Sequence, residues 1–163
     1  MPTWRDGEEV RKLNYDLWKQ TLSDYVILIR QHHFSEAYMG IDNDIFLDVS
    51  DYPEVNDLYV VSDVLISDYS SAFFDFALLK KPIICYAYDY DKYESNYGLF
   101  IDLKKEFPDG IISSEMDLIK FISSMDYARA CRKTEAFCSK YVQRSGNATE
   151  VCLRKLYSFL KDD

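Results

Sequence analysis

The sequence predicts an α/β fold, a Rossmann-like parallel sheet flanked by helices, and three observations carry that expectation. Short apolar runs of strand length occupy residues 25–29, 45–49, 64–66 and 82–86. Segments with helical spacing separate them, and strands that alternate with helices specify parallel pairing. At 163 residues, with 48% hydrophobic and 16% aromatic content, the chain has one domain's worth of sequence and enough apolar surface to bury a core.

The elements follow in order. Val10, Leu13, Leu17 and Trp18 recur at helical spacing, so residues 8–21 read as an amphipathic helix, and the β-branched run at 25–29 reads as a strand covered on both faces. A loop opens at Arg30. Residues 45–49 form a second strand, and Pro53 suits the first turn of a short helix over 54–61. The third strand, 64–66, feeds a helix over 70–80, and 82–86 is the fourth strand. Residues 88–97 read as an acidic aromatic loop, 99–103 as a weak strand, and 115–125, 127–142 and 147–161 as helices. The chain opens on loop-like residues without a leading strand, which points to a sheet lacking its first strand, or a chain cut from a longer one just after it.

Charge narrows the function classes. The formal net charge of −9 disfavours nucleic acid and anionic membrane surfaces as partners, since both demand a basic face. An anion site must then be built locally, from helix N-termini and a few cations such as Arg5, Arg30, Lys80 and Lys81. Cys85, Cys131, Cys138 and Cys152 show neither a C-x-x-C pair nor a histidine at metal spacing, so they read as reduced cytosolic thiols. No apolar run approaches the roughly 18 residues of a membrane span, and no signal peptide is evident. No metal is predicted, because the carboxylates of 88–94 are spaced linearly rather than converging.

The segment from Val60 to Asp75 is the most informative. An apolar strand ends in Ser67-Asp68-Tyr69-Ser70-Ser71, a small polar turn that opens a helix. Helix N-termini expose unpaired N–H groups and partial positive charge, so such a turn suits a phosphate with serine hydroxyls as added donors. On the residues alone, ordinary helix capping is the commoner role for Ser70 and Ser71. Asp68 has a parallel structural reading, as a carboxylate that fixes the turn through backbone N–H groups.

Pro2-Thr3-Trp4-Arg5, Arg30-x-His32, Asp57-Leu58-Tyr59, Ser62 through Asp75 and Lys81-Pro82-Ile83 through Tyr88-Asp89 together resemble, in order, the CDP-glycerol glycerophosphotransferases of teichoic acid synthesis. The resemblance spans roughly residues 2–160. It implies the carboxyl-terminal, donor-binding half of a GT-B architecture, with residues 1–163 as a single domain of a two-domain transferase. The donor is CDP-glycerol, with CDP-ribitol as the rival, and no further cofactor is required. A polymeric or lipid-linked acceptor would be held by the missing domain. Location is cytoplasmic, with the full-length protein able to associate peripherally at the inner face of the cell membrane.

The resemblance also implies roles. His32 is the catalytic candidate, since the acceptor hydroxyl must lose a proton as it attacks the donor β-phosphorus; imidazole suits that, or equally donation to the leaving CMP. Thr3, Arg5, Arg30, Ser70 and Ser71 would hold the donor phosphates, with arginine forming bidentate contacts. Asp75, one helical turn after Ser71, would reach a ribose hydroxyl pair. Gly146 and Thr149 belong to a turn opening the last helix, where the family's acidic residue is replaced by Ser145. Two further readings stand beside this one: a module that binds CDP-alditols without catalysis, and a phospho-receiver domain using Asp68.

Overall fold

The computed structural model describes residues 13–31, 45–142 and 146–161. Strands β1 (Ile27–Ile29) and β2 (Phe46–Asp48) pair in parallel, and β3 (Leu65–Ser67), β4 (Ile83–Tyr86) and β5 (Ile111–Ile112) form a second parallel sheet in that order. Helices α1 (Tyr15–Thr21), α2 (Val55–Val61), α3 (Ala72–Ala77), α4 (Tyr90–Tyr97), α5 (Leu103–Glu106), α6 (Glu115–Ser124), α7 (Tyr127–Tyr141) and α8 (Ala148–Lys161) complete the described residues.

Alternating side chains on the strands sort into two cores, the period-2 signature of a sheet buried on both faces. Ile27, Ile29, Val64, Ile66, Ile84 and Ile112 pack on Trp18 and Leu22 and on Leu118, Ile119 and Ile122 of α6. Leu65, Ile83, Cys85, Ala87 and Ile111 face the other way, onto Phe73, Phe76 and Ala77 of α3 and Phe137 of α7. Strands from both sheets thus contribute to the first core. The result is helices over strands over helices.

Capping chemistry sets the helix starts. Asn14 accepts from Leu17 N at 3.2 Å, Ser114 from Asp117 N at 3.1 Å and Asp126 from Arg129 N at 2.9 Å, each satisfying an otherwise orphaned donor. Asn14 therefore begins α1 at Tyr15, and Leu13, expected inside the helix, precedes it. Glu54 is the N-cap of α2, which leaves Pro53 outside its first turn.

Two segments differ from expectation. Residues 90–97 form helix α4 rather than a loop; Tyr90 donates to Glu94 Oε1 at 3.2 Å and Tyr93 meets Tyr97 at 4.9 Å between centroids, both pairs at i,i+4. Gly98 ends α4 at φ +73°. Residues 99–103 form no strand. Leu99 and Ile101 do point to the core as a strand would place them, but Phe100 stands fully in solvent and the backbone joins no ladder; the fifth strand is Ile111–Ile112.

Helix α3 is shorter than the predicted 70–80. Leu78, Leu79 and Lys80 N–H groups bond three residues back, and Lys80 then turns into the left-handed region at φ 57°. A non-glycine residue there is strained. Lys80→Gly is expected to be about 1 kcal/mol more stable than Lys80→Ala, since both lose the exposed Lys80–Glu135 ion pair and only glycine relieves the backbone. Urea denaturation of the two variants checks this.

Candidate functional site

Because every described strand pair is parallel, the carboxyl ends within each sheet gather at one edge, where ligands of open α/β sheets bind. Arg30 follows β1, the turn Asp68–Ser71 follows β3, Asp89 lies just past β4, and Ser113 follows β5. The β3–β4–β5 sheet places the Asp68–Ser71 turn, Asp89 and Ser113 along one such edge, since each follows the carboxyl end of a neighbouring strand.

The turn is fixed at both ends. Asp68 is 2% exposed, its Oδ1 accepts the Tyr69 N–H at 2.8 Å, and its carbonyl accepts from Cys85 Sγ at 3.3 Å. This is the structural role open to it in the sequence, and so enclosed a carboxylate is poorly placed to receive a phosphoryl group. Ser70 Oγ accepts the Ala72 N–H at 3.2 Å. Ser71 occupies the cap position of α3 in helical conformation, makes no side-chain capping bond and lies exposed. Capping therefore falls to Ser70, and the Ser71 hydroxyl faces outward. With six residues and i→i+3 bonds at its start, α3 carries a small dipole, so anion affinity at this turn depends on local hydroxyl and N–H donors.

Arg30 Nη1 donates to the Tyr52 carbonyl at 2.6 Å, and Tyr52 Oη donates to Asp57 Oδ2 at 3.0 Å. Two expected residues, Arg30 and Asp75, both act electrostatically on Tyr59, which the sequence marked only through the Asp57-Leu58-Tyr59 motif and assigned no site role. Burial pushes the Tyr59 phenol up, the Asp75 carboxylate raises it further and the Arg30 guanidinium lowers it. Tyr59 itself stands edge-on to Phe76 at 5.7 Å, which ties this neighbourhood to α3.

On the far side of the turn, Tyr69 Oη donates to Asp89 Oδ1 at 2.8 Å and its ring stacks on Tyr93. A cavity of about 280 Å³ opens beside Asp89, lined also by Tyr88, Lys92, Lys104 and Ser113. Lys104 is held by Asp91 at 2.8 Å. Among the described residues no group of three His, Cys, Asp or Glu side chains is arranged to hold a metal ion.

Other expected residues lie elsewhere. Lys80 and Lys81 sit at the amino end of β4: Lys80 pairs with Glu135, and Lys81 Nζ donates to the Val60 and Ser62 carbonyls at 2.8 and 2.7 Å, closing the end of α2. They are structural cations. Gly146 takes φ +82° before α8, a conformation that favours glycine, and Thr149 is exposed in the first turn. Among the described residues no hydrogen bond joins either one to the Ser70–Ser71 turn. Thr3, Arg5 and His32 lie outside the described residues.

An α/β domain with a polar strand–turn–helix corner at the carboxyl end of a parallel strand belongs to the class that takes ligands at strand carboxyl ends. Residues 1–158 match the CDP-glycerol:poly(glycerophosphate) glycerophosphotransferase family, and the chain belongs to it. It is 43% identical over 135 residues to a teichoic acid glycerol-phosphate transferase of Staphylococcus aureus (strain NCTC 8325 / PS 47), covering 77% of this chain and 35% of that protein. A teichoic acid ribitol-phosphate polymerase of the same strain is 32% identical over 136 residues, covering 81% of this chain and 26% of its own. Among solved structures, the wall teichoic acid polymerase TagF superposes with a TM-score of 0.78 at 32% identity, covering 99% of this chain and 42% of that one. The chain thus spans about a third of the curated glycerol-phosphate transferase. No helix among the described residues is long and apolar enough to cross a membrane.

Proposed function

We propose that this chain is the donor-binding domain, the carboxyl-terminal half of a GT-B architecture, of a cytoplasmic transferase that moves glycerol phosphate from CDP-glycerol to a teichoic acid or glycerol-phosphate acceptor. The observation that carries this reading is the Asp68–Ser71 turn, anchored through Asp68 and Ser70 with Ser71 exposed, at the carboxyl end of β3 in a chain belonging to this family. In the reaction the acceptor oxygen forms a bond to the donor β-phosphorus, the bond from that phosphorus to the bridging oxygen breaks, and CMP leaves with the electron pair. His32 takes the acceptor proton or gives one to CMP. Ser70, Ser71, Arg30, Thr3 and Arg5 hold the phosphates, and Asp75 reaches the ribose. Gly146 and Thr149 complete the donor side.

The matched ribitol-phosphate polymerase supports a second reading, in which the donor is CDP-ribitol. The acceptor, polymeric or lipid-linked, is held by a companion domain, and the assembled enzyme works at the inner membrane face in cell-wall synthesis. By itself the 163-residue chain is expected to turn over no CDP-glycerol, because the other side of the cleft is supplied elsewhere.

Thermal and urea unfolding with CMP, CDP-glycerol or CDP-ribitol test the reading. At 100 times its dissociation constant a ligand stabilises the fold by about 2.7 kcal/mol. Ser71→Ala is expected to lose most of that shift while its own stability barely moves, since Ser71 makes no capping bond. The absence of a shift with all three ligands would overturn the proposal.

A further inference from the structure

We propose that Tyr69 is a positioning residue, which sets the Ser70–Ser71 turn for the donor phosphate by tying it to the connection between β4 and α4. The inference rests on the function proposed above and assigns a role to a residue that does not itself hold the ligand. Three observations carry it.

First, the side chain of Tyr69 reaches beyond the β3–α3 unit. Its ring lies on that of Tyr93 with centroids 3.6 Å apart and planes 11° from parallel, and its hydroxyl donates to Asp89 Oδ1 at 2.8 Å. Second, Asp89 occupies the N-cap position of α4, where an aspartate ordinarily accepts a helix N–H, yet it makes no side-chain capping bond. Its carboxylate accepts from Tyr69 instead. Third, the backbone on either side of Tyr69 is already restrained, by Asp68 Oδ1 at the Tyr69 N–H and by Ser70 Oγ at the Ala72 N–H. A turn held by these two bonds keeps rotational freedom in the peptide planes between them. An aromatic side chain held by a stack and a charge-assisted hydrogen bond restricts it. The N–H and hydroxyl groups of Ser70 and Ser71 then meet a phosphate without reorganising, which is how preorganisation raises affinity.

Dissociation constants for CMP, measured by calorimetry on the 163-residue chain, test this. Tyr69→Phe keeps the stack and removes the hydroxyl; it is expected to weaken CMP about tenfold, equivalent to about 1.4 kcal/mol, with the chain still folded and its melting midpoint lowered by about 3–8 °C. Asp89→Asn keeps an acceptor and is expected to retain affinity within about threefold, whereas Asp89→Ala should match Tyr69→Phe. The reading that separates positioning from general support is the double variant: in a Ser71→Ala background, Tyr69→Phe should cost much less than tenfold, because its effect is exerted through the turn. Additive losses, or a Tyr69→Phe chain that binds CMP as the parent does, would overturn the inference and leave the donor-binding reading intact. If the parent chain itself binds no CMP, the donor-binding reading fails and takes this inference with it.

Discussion

Phe76→Ala is expected to cost about 3–5 kcal/mol, the range for truncating a fully enclosed phenylalanine. The ring is 0% exposed and sits in the core where α3 meets the sheet, with Tyr59 edge-on at 5.7 Å. A domain of this size commonly has about 5–15 kcal/mol of total stability, so the loss takes a large share of it. Phe76→Leu, which keeps most of the volume, should cost under about 1.5 kcal/mol, and Leu79→Ala, at the partly exposed end of the same segment, under about 1 kcal/mol. Urea midpoints at a common denaturant slope check the ranking. If all three variants shift alike, the packing assigned to α3 is wrong. Because Phe76 holds the helix that the Ser70–Ser71 turn opens, the alanine variant should also lose ligand-induced stabilisation even where it remains folded.

The second large effect is alkaline. Burial pushes the Cys85 thiol from its ordinary 9.0 up to about 12, with the Asp68 carboxylate adding to the rise. The folded chain keeps this proton where the unfolded chain has released it. Stability from the thiol is therefore complete below pH 9 and drains away as pH climbs from 9 toward 12, with a ceiling of about 4 kcal/mol. Tyr90, also raised to about 12 by burial and by Glu94, adds a later contribution in the same direction. Urea unfolding at pH 8, 9.5 and 10.5 is expected to show a falling midpoint, and Cys85→Ala should flatten the fall. Parallel pH dependence in parent and variant would rule out Cys85 as the source. The same protonation slows alkylation: far less thiolate exists at pH 8, and although a high-pKa thiolate is the better nucleophile, the net rate should fall at least about thirtyfold below an ordinary thiol.

How far the sequence reached depended on the range of the forces involved. The strand–turn–helix corner was legible because each part is local: Val64-Leu65-Ile66 is apolar enough to be buried, and Asp68, Ser70 and Ser71 are turn and cap residues. Helix α4 was not, since Tyr90–Tyr97 has no apolar stripe; it is held by its own i,i+4 pairs and by the stack of Tyr93 on a residue over twenty positions earlier. Strand β5 is two residues long, and Leu99 and Ile101 offered a better strand pattern than Ile111–Ile112 while lacking a neighbour to pair with. Tyr59 was legible only as part of the Asp57-Leu58-Tyr59 motif, because its place beside α3 arises when its ring meets Phe76 across the fold. Lys80 and Lys81 looked available for anions on charge alone, and their real partners, Glu135 and two carbonyls, lie tens of residues away. For Thr3, Arg5 and His32 the case rests on motif order.

The close parallel contact of Tyr69 and Tyr93 has an optical consequence. Two phenol chromophores 3.6 Å apart couple their transitions, and Tyr97 extends the row from 4.9 Å beyond Tyr93. The corner of the sheet where the candidate site lies therefore carries its own near-ultraviolet circular dichroism signal, without any attached label. Loss of that band while the far-ultraviolet spectrum stays intact would report a local opening of the turn, separable from unfolding of the domain.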